Sequence, residues 1–302
     1  MFSRLFSRSA LLTATSTLLL GMVHGASAQD LYAADQGSKS IFKFTPGGVQ
    51  STFVAGVSGT FALAFDSNGN LFEANLATDS IVKFTPGGVQ STFATGLNEP
   101  QGLAFDKSGN LFESDLGTNR IFKFTPAGIQ STFSTGVNAP IGLAIDSSDN
   151  LFEADVNSGK ILKFTPGGIQ STFTTGVNQP ISLAFDSSGN LYAGSFSGSI
   201  YKFTPGGVQS TFATGLDQPV GLAVDSSDNL FEADYGTGNI FKFTPGGVRS
   251  TFATGIKNPS GLAFAPNVAA AATPEPGFLA LLTGLGCTGT ALFLRRRARK
   301  SV

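Results

Sequence analysis

Apolar and polar positions along this chain alternate in short runs, and the runs recur. Residues 111–150 show the pattern: LFESDLGTNRIFKFTPAGIQSTFSTGVNAPIGLAIDSSDN. Four segments rich in Phe, Ile, Val and Thr, at 111–115, 121–125, 130–135 and 142–146, are separated by clusters of Gly, Pro, Asn and Asp. Such runs between turn-forming clusters predict strands. Pro126-Ala127-Gly128 and the stretch from Asp146 to Asn150 supply tight links. Away from the two termini no window carries a 3.6-residue apolar period, so the fold class expected is all-β.

The unit repeats. Lys-Phe-Thr-Pro-Gly-Gly starts at Lys43, Lys83, Lys123, Lys163, Lys202 and Lys242, in steps of 40 residues with one of 39, and Ala127 replaces a glycine in the third copy. Four strands per unit, six times over, predict a six-bladed β-propeller across residues 29–269; a β-solenoid, whose coils are usually shorter, is the alternative. The chain enters at Leu31 on a second strand and leaves at 261–264 on an innermost one. Pairing the two would complete one blade from both ends and close the ring. The wording Pro-x-Gly-Leu-Ala-Phe-Asp-x-x-Gly-Asn-Leu-Phe recurs at 100–112, 140–152, 180–192 and 219–231, with Ile145, Asp149 and Ser182 among the departures. It resembles NHL repeats, a likeness that implies the propeller and little about activity.

The ends have a different character. Residues 1–28 carry Arg4 and Arg8, a mostly apolar stretch over 10–23, and Ala26-Ser27-Ala28. This is the layout of a secretory signal peptide cleaved before Gln29, with Ala26 and Ala28 as the small residues at the cut. As an N-terminal membrane anchor, the alternative, the apolar run is short and diluted by Ser and Thr. Residues 270–276 form a linker ending in Pro274-Glu275-Pro276. An uncharged apolar stretch follows over 277–294, then a basic tail over 295–302 with Arg295, Arg296 and Arg297. That stretch just crosses a bilayer as a helix, and the basic tail is expected on the cytoplasmic side. The order closely resembles the PEP-CTERM sorting signal of Gram-negative bacteria. The resemblance implies an exosortase-type enzyme that reads Pro-Glu-Pro and removes the tail, and an association with exopolysaccharide production; a plain single-pass anchor is the alternative. The expected location is beyond the inner membrane, in the envelope, at the cell surface or outside the cell.

Removing the ends changes the charge. Residues 29–276 keep 12 basic against 20 acidic residues, a net charge of −8 rather than the −1 of the whole chain. An acidic body argues against nucleic acid. His24 and Cys287 are the only histidine and cysteine, so the repeats have neither imidazole nor thiol chemistry, and no metal or cofactor is expected.

Three acidic sets recur. Asp66, Asp106, Asp146, Asp186 and Asp225, each followed by an Asn four residues on, could suggest a calcium loop; no bidentate acid follows at the right offset, and turn capping is the expected role. Glu73, Glu113, Glu153 and Glu232 each precede a repeat lysine by ten residues. A five-residue loop would set each opposite its lysine as a cross-strand ion pair, with Phe112, Phe122 and Phe124 together on the other face. Ala33 and Ala193 replace the glutamate in the remaining repeats. Asp35, Asp115, Asp155 and Asp234 end that strand and are expected to cap the loop that follows.

Six-bladed propellers with such repeats include enzymes. The gluconolactonase family holds a divalent metal on the axis through residues just before the innermost strand's glycine. The matching positions here are Phe61, Gln101, Ile141, Ile181, Val220 and Ser260, four of them apolar and unsuited to a hard cation. Lyases of the amidating and streptogramin type need histidines. A lactonase- or lyase-like enzyme is therefore the alternative, not the leading reading.

Variation between repeats concentrates in two segments expected on one end of the disc. One supplies Gln36, Leu76, Leu116, Val156, Phe196 and Tyr235; the other supplies Gln101, Ile141, Ile181 and Val220 with Phe61 and Ser260. An apolar patch around the axis makes a candidate binding surface for exopolysaccharide or a surface protein. A plugged channel, leaving a passive spacer, is the opposing reading. Sugar sites favour Trp and Tyr; the repeats have no Trp, and their Phe residues, at fixed strand positions, are expected to be core.

Overall fold

The computed structural model describes residues 28–267, which form 24 strands in six antiparallel sheets of four. Each sheet is one blade, running from an innermost strand at the axis to an outermost edge. In blade three these are Pro100–Phe105, Leu111–Asp115, Arg120–Phe124 and Gln130–Ser134. The innermost strands of blades two, four, five and six are Thr60–Phe65, Pro140–Ile145, Pro180–Phe185 and Pro219–Val224. Blade one is assembled from both ends: Pro259–Phe264 pairs with Leu31–Asp35, Leu31 opposite Phe264. The closure expected from the repeat phase is thus present, and it removes the open edge a linear array would leave. The innermost strands start two residues earlier than expected from composition, at the proline, or at Thr60 in blade two.

Burial explains the residue choices. The second strand is buried at all five positions, whereas Gln, Ser and Thr of the outermost strand face solvent. One outer-strand aromatic per blade turns inward. Phe93 meets Phe72 edge-on at 5.0 Å, and Phe72 meets Phe105 of blade three at 5.0 Å. The same inter-blade triad recurs as Phe152, Phe173 and Phe185 and as Phe231, Phe252 and Phe264. Each contact contributes about 0.5–1.5 kcal/mol beyond the area it buries. Each apolar core mixes residues of two adjacent blades, so no blade is complete alone. Near the axis the blades approach backbone to backbone. A Cβ on Gly142 would lie 2.8 Å from the carbonyl oxygen of Ile181, and one on Gly261 would lie 2.6 Å from that of Phe61, which accounts for the glycine of the repeat wording.

The turn between second and third strands corrects one expectation. It holds four residues, not five: Asp115 pairs with Arg120, and the last turn residue, Asn119, takes a left-handed φ of 53°. The register therefore places Glu113 opposite Phe122 and Lys123 opposite Phe112. Glutamate and lysine lie on opposite faces, and the expected ion pair does not exist in any of the four repeats. Phe112 likewise sits on the lysine's face, apart from Phe122 and Phe124. The single 39-residue step has its cause in the same turn. Ser195 pairs with Ser199 across only three residues, closed by Gly198 at φ 87°.

The predicted signal peptide (1–28, save Ala28), Pro274, Glu275 and Pro276, the stretch 277–294 and the basic tail with Arg295, Arg296 and Arg297 lie outside the described residues. Among the described residues no helix is long and apolar enough to cross a membrane.

Candidate functional site

Each innermost strand breaks its ladder just before or at the glycine position. In blade three the register shifts between Pro100 and Leu103, and in blade four between Pro140 and Leu143. The bulge turns Gln101 and Ile141 toward the axis, where they meet Phe61, Ile181 and Val220 around a cavity of about 190 Å³. Beneath them lies a second ring, one leucine from every blade: Leu63, Leu103, Leu143, Leu183, Leu222 and Leu262. Among the described residues no ionisable side chain lines this cavity. Its polar groups are the Gln101 carboxamide, the Ser182 hydroxyl and main-chain atoms at the bulges. Ser182 already donates to the carbonyl of Pro219 at 2.8 Å.

The four predicted axial residues, Gln101, Ile141, Ile181 and Val220, are thus brought together. The loop set emerges at the same end: Leu116 donates its N–H to Glu99, beside Gln101, and Tyr235 to Gln218, beside Val220. Leu116, Val156 and Tyr235 are half-buried and Phe196 is 45% exposed, but none of them lines the axial cavity. The two sets form an inner cup and an outer collar, not one pocket.

The aspartates that end the second strands rivet collar to cup. Asp115 Oδ1 accepts from the N–H and hydroxyl of Thr118, while Oδ2 accepts from Asn98 N at 2.8 Å. Asp155 and Asp234 do the same with Asn138 and Asp217, and Asp35 with Lys257. Loop capping is therefore the role of this set. The other aspartates cap turns as expected: Asp66 Oδ1 accepts from Asn68 N and Asn70 N, and Oδ2 from the Asn70 amide. They also hold the lysines, Lys123 with Asp106 at 3.6 Å and Lys202 with Asp186 at 3.4 Å. Every repeat lysine lies over the aromatic opposite it, at 4.9 to 5.8 Å.

Freed of the lysines, the glutamates have an unexpected environment. Glu73, Glu113, Glu153 and Glu232 are wholly buried at blade interfaces. Both oxygens of Glu113, Glu153 and Glu232 lack any hydrogen-bond partner. Glu73 receives bonds on one oxygen from Thr60 at 2.6 Å and Asn75 at 3.1 Å. Burial pushes the Glu73 carboxyl up to about 7 and that of Glu232 up to about 9, Asp234 adding to the latter. Glu113 and Glu153 are raised well above the usual carboxylate range by burial, with Asp115 and Asp155 contributing. Burial thus favours the protonated form in all four, and none touches the axial cavity. Raised carboxyls are the signature of acid–base catalysts, but a sealed carboxyl has no substrate to reach. Among the described residues no three His, Cys, Asp or Glu are grouped to hold a metal.

No family model matches the chain, and no curated protein matches it. Solved structures do. A chain of a nidogen/laminin complex is 20% identical, covers 79% of this chain and 98% of its own length, and superimposes with a TM-score of 0.71. A streptogramin B lyase is 16% identical over 78% of this chain and 87% of its own, with a TM-score of 0.64. A gluconolactonase from Xanthomonas campestris is 16% identical over 68% and 79%, with a TM-score of 0.62. These likenesses define the class, a six-bladed β-propeller. Binding proteins and enzymes share it, so activity must be argued from the site.

Proposed function

We propose that this chain is an exported, non-enzymatic binding propeller that receives its partner at the collar-and-cup end of the disc. The observation that carries the reading is the axial cavity itself: a leucine from every blade under a largely apolar upper ring, with no acid or base on its wall and its one hydroxyl, that of Ser182, committed to the Pro219 carbonyl. Hydrolysis or elimination would need a proton acceptor or a metal there, which weighs against the lactonase and lyase alternative. The likeness to a propeller from a nidogen/laminin complex supports a binding role. Delivery rests on the PEP-CTERM-type end, which also favours exopolysaccharide or a surface protein as partner and an exosortase-type enzyme as processor. A passive spacer is the remaining alternative, and it predicts no ligand.

The test is cross-linking on living cells of the producing organism, with a pull-down on its exopolysaccharide. A partner captured by the wild type and lost with Ile141→Asp supports the reading. Capture by neither, with the fold intact, leaves the spacer. Intact mass of the exported protein tests the sorting signal: residues 277–302 are expected to be missing, and their retention would sink that part of the proposal.

A further inference from the structure

The opposite end of the disc, where the Asp-to-Asn turns lie, carries a feature that the repeat pattern conceals. Between blades two and three a cleft of about 280 Å³ opens, walled by Phe93, Phe105 and Pro126 and rimmed by Asp66, Lys83, Ser108 and Lys107, whose ammonium is turned to the Ser147 carbonyl of blade four. The same set recurs between blades four and five around Phe173 and Lys163, in about 330 Å³, and between blades six and one around Phe252 and Lys242, in about 210 Å³. These phenylalanines pack on the core, Phe93 lying 5.8 Å from Phe124 of the next blade and Phe173 5.9 Å from Phe203, yet each is only half-buried, as are Phe53, Phe133 and Phe212 at the other interfaces, and so leaves part of its ring accessible.

Two of the other interfaces are stapled instead. Asp149 accepts from Lys107 N at 3.1 Å, joining the turns of blades three and four. Asp228 accepts from the N–H and hydroxyl of Ser187 at 2.8 and 2.6 Å, joining blades five and six. Both aspartates occupy a left-handed turn position, at φ 61° and 60°; blades three and five have Gly109 and Gly189 there, at 78° and 79°. The Lys–Asp separations are long at both kinds of interface, 3.4 to 3.9 Å, and Lys83 at the first open cleft makes no ion pair among the described residues. Each open cleft thus sets a loosely held ammonium and a carboxylate beside serine hydroxyls and the exposed parts of two phenylalanine rings.

This chemistry selects one class of ligand. A cation gains little, because an ammonium already lies over the inner aromatic ring, at 5.3 Å from Phe72. An anion meets the carboxylate. A neutral ring with an apolar C–H face and a rim of hydroxyls satisfies both halves of the cleft. We propose that the three open inter-blade clefts are saccharide subsites for pyranose units of a neutral glycan. Three weak sites around one disc engage a polysaccharide by avidity, each later contact being intramolecular. The inference does not rest on the axial reading, since it concerns the other end of the disc.

The chain itself supplies a closing mutation. Gly109→Asp and Gly189→Asp copy the staples, with Ser67 and Ser147 as the partners equivalent to Ser187. A Cβ there meets only Pro126 at 3.5 Å or Pro205 at 3.6 Å, and Asp149 and Asp228 already hold the equivalent left-handed position, so the cost is local backbone strain rather than a clash. The full chain is mixed with the methyl pyranosides of glucose, galactose, mannose, N-acetylglucosamine and fucose, and saturation transfer from protein to sugar protons is read by NMR. At least one pyranoside is expected to receive saturation. The double variant, with an unchanged melt, should reduce it to roughly a third, one cleft of three remaining. Adding Lys242→Gln should remove most of what is left. No transfer to any pyranoside, or transfer undiminished by the double variant, overturns the proposal. Loss with Ile141→Asp instead overturns it too, and moves the sugar to the axial cup.

Discussion

Replacing Glu232 by Gln should stabilise this protein at neutral pH while leaving it nearly unchanged at pH 5. The folded chain holds the Glu232 proton up to about pH 9, because burial without a single donor disfavours the carboxylate. The unfolded chain releases the same proton near 4.5, the ordinary value for a glutamate. Above that value the unfolded state binds fewer protons than the folded one, so stability falls as pH rises, at about 1.4 kcal/mol per pH unit. From pH 5 to 7 the loss is roughly 3 kcal/mol, levelling off only near the folded value. Gln is of the same shape, is equally unpaired and does not titrate. The variant should therefore match the wild type at pH 5 and exceed it by roughly 3 kcal/mol at pH 7, about 6–12 °C in Tm for a domain of this size. Glu113 and Glu153 should behave alike, and Glu73 over a narrower window that ends near pH 7. Circular dichroism melts and urea midpoints at pH 5, 6 and 7 read the slope. A wild-type protein that gains stability from pH 5 to 7, or a variant with the wild-type slope, would refute the assignment of these groups as neutral and unpaired.

Three further outcomes are expected. Asp115→Ala removes the bonds to Thr118 and Asn98 and should cost about 2–4 kcal/mol; Asp115→Asn, imitating Asn75, which still caps Ala77 and Thr78, should cost less, both read by urea unfolding. Glu113→Ala and Lys123→Ala should be additive within about 0.5 kcal/mol in a double-mutant cycle, being on opposite faces; Lys123→Ala with Asp106→Ala should couple by at most about 1 kcal/mol, as the pair is part-exposed. Deleting residues 259–264 strips blade one of its axial strand, and the product should associate through the open edge in size-exclusion chromatography; a stable monomer with the wild-type melt would mean the clasp is dispensable.

The architecture was legible in the sequence because the repeat has a constant phase. Six copies of one strand pattern, entered at the second strand and left on the innermost, admit one way to close. The aspartate roles were legible for a similar reason: an Asp followed by small polar residues has nearby N–H groups to accept from whatever the tertiary structure. The glutamates were not. Their face depends on whether the preceding turn holds four residues or five, and one residue of register moves every side chain to the opposite side. Sequence spacing is compatible with both, and the intuition that a charged pair ten residues apart should meet selected the wrong one. The choice is made by the left-handed residue at 119 and by the aspartate that captures the amide of Thr118.

The inter-blade staples were hidden by a different limit. Asp149 and Asp228 read as ordinary variants of a glycine within a turn, and their targets lie 42 and 41 residues away in the preceding blade. A contact at one full repeat is invisible to local pattern, yet it breaks the sixfold equivalence that local pattern suggests. Blades three and four are tied, as are five and six, and clefts remain at two–three, four–five and six–one. The result is two tied pairs of blades rather than six equal ones, and it bears on function directly. A sixfold ring with identical walls has no reason to favour one interface over another as a site. Pairing supplies that distinction with two aspartates, and it leaves the axial cup, built from the variable positions, as an independent surface at the other end.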